Sequence, residues 1–217
     1  MHHPRNAPKA GRRTAFVAMC MLFSMMLIPY TGAAGAMTFE DAEPCDIISQ
    51  LQFDGEVANA SVQWQVELGP RLPGSNVSAT FRDTITSDLE ALGYEVSTQT
   101  HQRYNMTLTN LFARWSPNAS DNGQLVLSAH YDSRNIADQD SNESNQTLPV
   151  PGANDAASGV AVLLELANHI PSMGLDHEVV LFFNDAEDQN QQYTLGAEAW
   201  AENLTQSEIA STHAFVL

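Results

Sequence analysis

The sequence predicts an α/β sandwich whose sheet is largely parallel at its centre. Three observations carry this. Apolar runs short enough to be strands alternate with stretches of helical period. One run, VVLFF (179–183), is apolar throughout, as a strand buried on both faces requires. The polar clusters AHYDS (129–133), PGANDAASG (151–159) and FNDAED (183–188) fall at run ends or in a Gly/Pro-marked loop entering a helix. In open α/β sheets, ligands collect at the carboxyl ends of the strands.

The elements follow in order. Residues 54–68 suit a helix with Val57, Trp64 and Leu68 on one face. GPRLPGS (69–75) is a turn-rich break. Phe81, Ile85, Leu89 and Leu92 recur at helical spacing, and Gly93 follows as a C-cap. YEVSTQT (94–100) and LTNLFARW (108–115) read as strands, and 116–123 as a loop before the strand LVLSAH (125–130). The polar stretch 134–150 is a long loop, of the length that usually carries function. A helix starting near Ala156 aligns Val160, Leu163, Leu164, Ala167 and Ile170. After a turn at 171–177 come the VVLFFN strand, a helix over 195–204 and a strand over 213–217.

The first 36 residues differ from the rest. Arg5, Lys9, Arg12 and Arg13 precede an apolar run from Ala15 to Tyr30, and Ala34-Gly35-Ala36 resembles a cleavage site. That is the layout of a signal peptide, with a retained membrane anchor as the alternative. The expected organisation is a signal peptide over 1–36, an acidic leader over 37–53 and one catalytic domain over 54–217. A secreted or extracytoplasmic location follows from it. Beyond residue 36 the chain has five Arg, no Lys and 26 Asp+Glu, a formal charge of −21. Nucleic acid and anionic membranes are poor partners for such a surface. Cys45 is the single cysteine past the targeting segment, so neither an internal disulfide nor a Cys-rich zinc motif is available. Seven Asn-x-Ser/Thr sequons, at Asn59, Asn76, Asn105, Asn118, Asn142, Asn145 and Asn203, fit an exported glycoprotein.

Taken singly, the polar residues have ordinary readings. His130 is a hydrogen-bonded histidine, Asp155 an N-cap, and Glu187-Asp188 a solvated acid pair. His130 and Asp132 stand at i and i+2, on one strand face, where an Asp can fix a ligating ring's orientation. Taken together, one His with several carboxylates and no Cys suits zinc in a hydrolytic site. No phosphate loop, nucleophile elbow or HExxH is present.

AHYDS, PGANDAASGVAVLLELA and LFFNDAED, with GPRLPGS ahead of them, resemble family twenty-eight of the metallopeptidases, from about Leu68 to Leu217. That family holds zinc aminopeptidases and glutaminyl cyclases. The resemblance implies a three-layer α/β/α sandwich of the phosphorylase/hydrolase-like type, with a mixed, centrally parallel sheet and its C-terminal part missing here. It implies that His130, Asp155 and Asp188 are zinc ligands, with Asp155 bridging where two ions bind. Glu187 would be the general base and Asp132 would orient His130. The family's remaining ligands, an Asp and a late His, would lie beyond Leu217. The first expectation is an aminopeptidase with two zinc ions, acting on peptides with a free N-terminus. A single-zinc glutaminyl cyclase is the alternative, since 137–146 and 195–203 also resemble bacterial cyclases. A non-catalytic scaffold domain of the same fold is the third.

Overall fold

The computed structural model describes residues 53–116 and 123–216, the side chains of 215 and 216 excepted, and they belong to one compact unit. The expected signal peptide, nearly all of the acidic leader and most of the 116–123 loop lie outside the described residues.

Helix α1 (Gly55–Leu68) starts where the Asp54 side chain accepts from the Glu56 and Val57 amides, satisfying two of the first-turn donors. Its inner face matches the expected one in part, since Trp64 and Leu68 pack against the core. Val57 is exposed, while Gln65 is buried and donates to the Ala157 carbonyl. Helix α2 (Asn76–Ala91) is capped by Ser75 and buries Phe81, Ile85 and Leu89, as its period predicts. Gly93, at φ 94°, ends it in the left-handed conformation that a side chain disfavours.

Strands β1 (Glu95–Arg103) and β2 (Met106–Trp115) form one continuous hairpin, longer than the two expected strands. The two-residue connection puts Tyr104 and Asn105 both at positive φ, the turn geometry that matches strand twist. Strand β3 (Gln124–His130) is followed by the 134–150 loop and by an irregular turn over 153–158, which contains a cis Asp155–Ala156 peptide. Helix α3 (Gly159–His169) therefore starts at Gly159 rather than near Ala156. Strand β4 (Glu178–Asn184) leads into a two-strand ribbon, β5 (Asp188–Gln189) and β6 (Gln192–Tyr193). Helix α4 (Leu195–Ala201) stops short of the expected 204. A further helix, α5 (Gln206–Ser211), then precedes β7 (Thr212–Val216). A capping box between Thr205 and Glu208 starts α5, a signal present in the sequence as Thr-x-x-Glu.

The main sheet runs β1-β2-β4-β3-β7. Pairing is antiparallel from β1 to β4 and parallel from β4 through β3 to β7, so the sheet is mixed with a parallel centre. Strand β4 shows why its run had to be apolar throughout. Val179, Leu181 and Phe183 enter the core with α2 and α3, while Val180 and Phe182 face the other side, toward Trp200 of α4. Helices thus cover both faces and give the three layers. Full burial of a side chain such as Phe81 or Leu163 contributes about 1.5–3 kcal/mol. Among the described residues no helix is long and apolar enough to cross a membrane.

Candidate metal centre

Strands β3 and β4 lie side by side in parallel, with His130 level with Asn184, so their carboxyl ends meet at one edge of the sheet. His130 closes β3. Its Nδ1 lies 3.2 Å from Asp132 Oδ1, and its Nε2 lies 2.8 Å from Asp155 Oδ1. The imidazole is therefore spanned by two carboxylates. Burial pulls its pKa down, but the hydrogen bond and charge of Asp132, with Asp155 and Glu187, overcome this and leave it raised.

Asp132 is fully buried and anchors the opposite strand end. It accepts from the Glu187 amide at 2.9 Å, from Gln189 Nε2 at 2.8 Å and from the Asp188 amide at 3.4 Å. A carboxylate with its lone pairs occupied in this way holds both the imidazole and the 187–189 backbone in register. Burial raises the pKa of Glu187; His130 opposes this, and Asp132, Asp188 and Asp155 reinforce it. Such a carboxylate is a better proton acceptor than a solvated one.

The turn that presents Glu187 needs support, because Ala186 has φ 58°. Asp185 Oδ1 accepts the Ala186 amide at 2.9 Å and Oδ2 the Thr109 amide at 2.8 Å. Asn110 receives the Asp185 amide at 3.1 Å and donates to the Gly196 carbonyl at 2.8 Å. A Cβ on Gly196 would sit 2.2 Å from the Asp185 carbonyl oxygen, so α4 can approach only with glycine there.

Asp155 is placed by the loop before α3. It makes no helix cap; its oxygen goes to His130, and the side chain is 67% exposed. The loop is clamped by Arg71, whose buried guanidinium donates to the carbonyls of Tyr131 (2.9 Å), Gln65 (2.9 Å) and Gly152 (2.9 Å) and, more loosely, Pro151 (3.3 Å). One side chain thus ties the segment after His130 to the segment before Asp155.

Asp188 departs from the expected arrangement. It is nearly buried and its Oδ2 pairs with Arg134, while Oδ1 is buried without a hydrogen-bond partner. Among the described residues no three His, Cys, Asp or Glu side chains converge tightly enough to hold a metal by themselves. The structure brings His130, Asp132 and Asp155 into contact and Glu187 beside them; Asp188 joins through its backbone and through Arg134. The donor chemistry nevertheless fits zinc, with one imidazole, carboxylate oxygens and an inward carboxylate oxygen that nothing satisfies. A groove of about 580 Å³ among α1, α2 and α3 contains none of these residues, so cavity size does not locate the chemistry.

Sequence reasoning missed Arg71, Arg134, Asp185 and Asn110. The arginines did leave a signal. With only five basic residues beyond position 36, each is scarce, and Arg71 and Arg134 both meet the candidate centre.

The described residues thus form a mixed α/β sandwich with a His–carboxylate cluster at its parallel strand ends. Residues 110–217 match the model of Peptidase family M28, and this part of the chain belongs to that family. A curated relative, the "Probable zinc metalloprotease" of Pyrenophora teres f. teres, is 35% identical over 82 residues, which is 38% of this chain and 16% of the relative. Among solved structures, a Zn-dependent exopeptidase from Parabacteroides distasonis is 30% identical with a TM-score of 0.64, over 70% of this chain and 56% of that one. A glutaminyl cyclase from Fimbriiglobus ruber is 26% identical with a TM-score of 0.68, over 76% and 61%. A glutaminyl cyclase from Porphyromonas gingivalis is 33% identical with a TM-score of 0.65, over 70% and 56%. The chain spans about three fifths of the length of these solved relatives and a sixth of the curated one.

Proposed function

We propose that this chain belongs to an exported, zinc-dependent aminopeptidase that removes N-terminal residues from peptides. The observation that carries the proposal is Glu187, a carboxylate made more basic by burial and fixed through its backbone to Asp132, beside the His130–Asp155 pair. The family's name and the curated relative's name support hydrolysis of peptides.

His130, Asp155 and Asp188 would hold zinc, two ions in this reading. Bound zinc would supply Lewis acidity toward the scissile carbonyl and a neighbouring water. Glu187 takes the proton of the attacking water and returns it to the leaving amine. Asp132 keeps Nε2 of His130 directed at Asp155 by engaging Nδ1. The Asp155 side chain is largely exposed, and the acidic surface suits a substrate carrying a free amine.

The second reading is a single-zinc glutaminyl cyclase, favoured by the likeness to solved cyclases at 26–33% identity. In it Glu187 moves a proton while an N-terminal glutamine closes on itself and ammonia leaves. Mass spectrometry of a peptide with N-terminal Gln separates the two after incubation with zinc-loaded protein. Loss of the whole first residue is expected for the aminopeptidase; loss of ammonia alone establishes the cyclase. The Glu187→Gln variant should lower either activity at least about 10³-fold while leaving zinc uptake near wild type. Turnover that survives this substitution removes Glu187 from the chemistry. No turnover from wild type, with peptide binding retained, returns the scaffold reading.

A further inference from the structure

Arg134 opens the 134–150 loop and is fixed on three sides. Its Nη1 pairs with Asp188 Oδ2, its Nη2 meets both oxygens of Asp138 at 2.9 and 3.0 Å, and its Nε donates to the Ile136 carbonyl at 3.1 Å. The Val150 amide donates to the Arg134 carbonyl at 3.0 Å, so the two ends of the loop close on this residue. The carboxylate it meets is sheltered, with the Asp188 side chain 13% exposed. The two oxygens of that carboxylate differ sharply. Oδ2 has a cation, and Oδ1 is buried with no partner at all. An unsatisfied buried carboxylate oxygen is costly unless a ligand meets it.

We propose that Arg134 is a positioning residue that makes Asp188 a one-oxygen metal ligand: the guanidinium occupies Oδ2, so a cation is held through Oδ1 alone. The inference rests on the zinc reading above and adds the denticity of one ligand to it. A carboxylate free to rotate chelates through both oxygens and raises the coordination number, whereas a pinned one keeps the number low and a position open for substrate. The planar fork of Arg is needed because two carboxylates, Asp188 and Asp138, are gripped at once. Lysine supplies the charge without that geometry.

The test is cobalt(II) titration of the full chain, read by visible absorption, with zinc affinity measured by competition against a chromophoric chelator. Wild type should give the intense bands of low-coordinate cobalt. Arg134→Gln should give weaker, higher-coordinate bands and zinc affinity lower by roughly 10- to 100-fold, with Arg134→Lys between the two. Melting of the metal-free variants checks the fold. If Arg134→Gln does not fold, Asp138→Asn takes its place and should shift the bands in the same direction by less. An unchanged spectrum and affinity in a folded Arg134→Gln, or in Asp138→Asn as its replacement, overturns this inference and leaves the zinc reading standing. A wild-type chain that takes up no cobalt or zinc overturns both.

Discussion

His130 stands between two carboxylates in opposite circumstances. Asp132 is fully buried, with the Glu187 amide, the Asp188 amide, Gln189 and His130 around its two oxygens. The Asp155 side chain is two-thirds exposed and meets the imidazole through Oδ1. The difference separates two jobs. A buried, saturated carboxylate is part of the scaffold and fixes where the strand ends meet. An exposed carboxylate on a clamped loop retains lone pairs for a ligand. The same residue type is thus saturated by the scaffold on one side of the ring and left with free lone pairs on the other.

The comparison breaks hardest at Asp132. Asp132→Ala strands several buried donors and should destabilise the metal-free protein by on the order of 3 kcal/mol. Asp155→Asn should cost less than about 0.5 kcal/mol yet abolish tight zinc binding. Urea unfolding of the two metal-free variants, with chelator competition beside it, measures the contrast. Equal losses of stability would erase it.

Gly152→Ala attacks the open side through its anchor. Gly152 has φ 69°, and a Cβ there would lie 2.7 Å from Ser133 Oγ and 2.9 Å from the Arg71 guanidinium. A loss of about 1–3 kcal/mol is expected, accompanied by weaker zinc binding because the Asp155 loop shifts. Unaltered affinity at that loss of stability would mean the loop does not set the position of Asp155.

Asp185 sharpens the comparison through pH. Burial raises its pKa from 3.8 to about 7, with the Asp132 charge adding to the effect. A carboxyl raised in the folded state binds more protons there than in the unfolded chain. Its contribution is therefore full below about pH 4 and is lost as pH rises toward 7. The slope is at most about 1.4 kcal/mol per pH unit. The stability of wild type minus that of Asp185→Asn should fall across this window; a flat difference would show that Asp185 is already ionised at pH 5.

The smallest effect is expected at the surface. Arg103 pairs with Glu202 where both side chains are well exposed, so Arg103→Gln should change stability by no more than about 0.5 kcal/mol in chemical unfolding.

Much of the fold was legible. The Phe81-Ile85-Leu89 period gave α2 its buried face, and the unbroken VVLFF run gave β4 its place between two helical layers. The α3 start was misjudged because Ala156 and Ala157 have helix-forming side chains, while the backbone at 153–158 is held elsewhere, by Arg71 and by the His130–Asp155 contact. Val57 was misjudged because helical period marks a face but not what lies opposite it.

For the site, the sequence by itself determined where the candidates stand: His130, Asp132, Glu187 and Asp188 at or just past strand ends, and Asp155 in a Gly/Pro-marked loop entering a helix. Only the tertiary structure decided what each carboxylate does. Burial and hydrogen-bond saturation of Asp132, the exposure of Asp155, the capture of one Asp188 oxygen by Arg134 and the elevated pKa of Glu187 depend on neighbours brought together from different elements. Periodicity is a local property of the chain, whereas desolvation and charge pairing are properties of the packed neighbourhood.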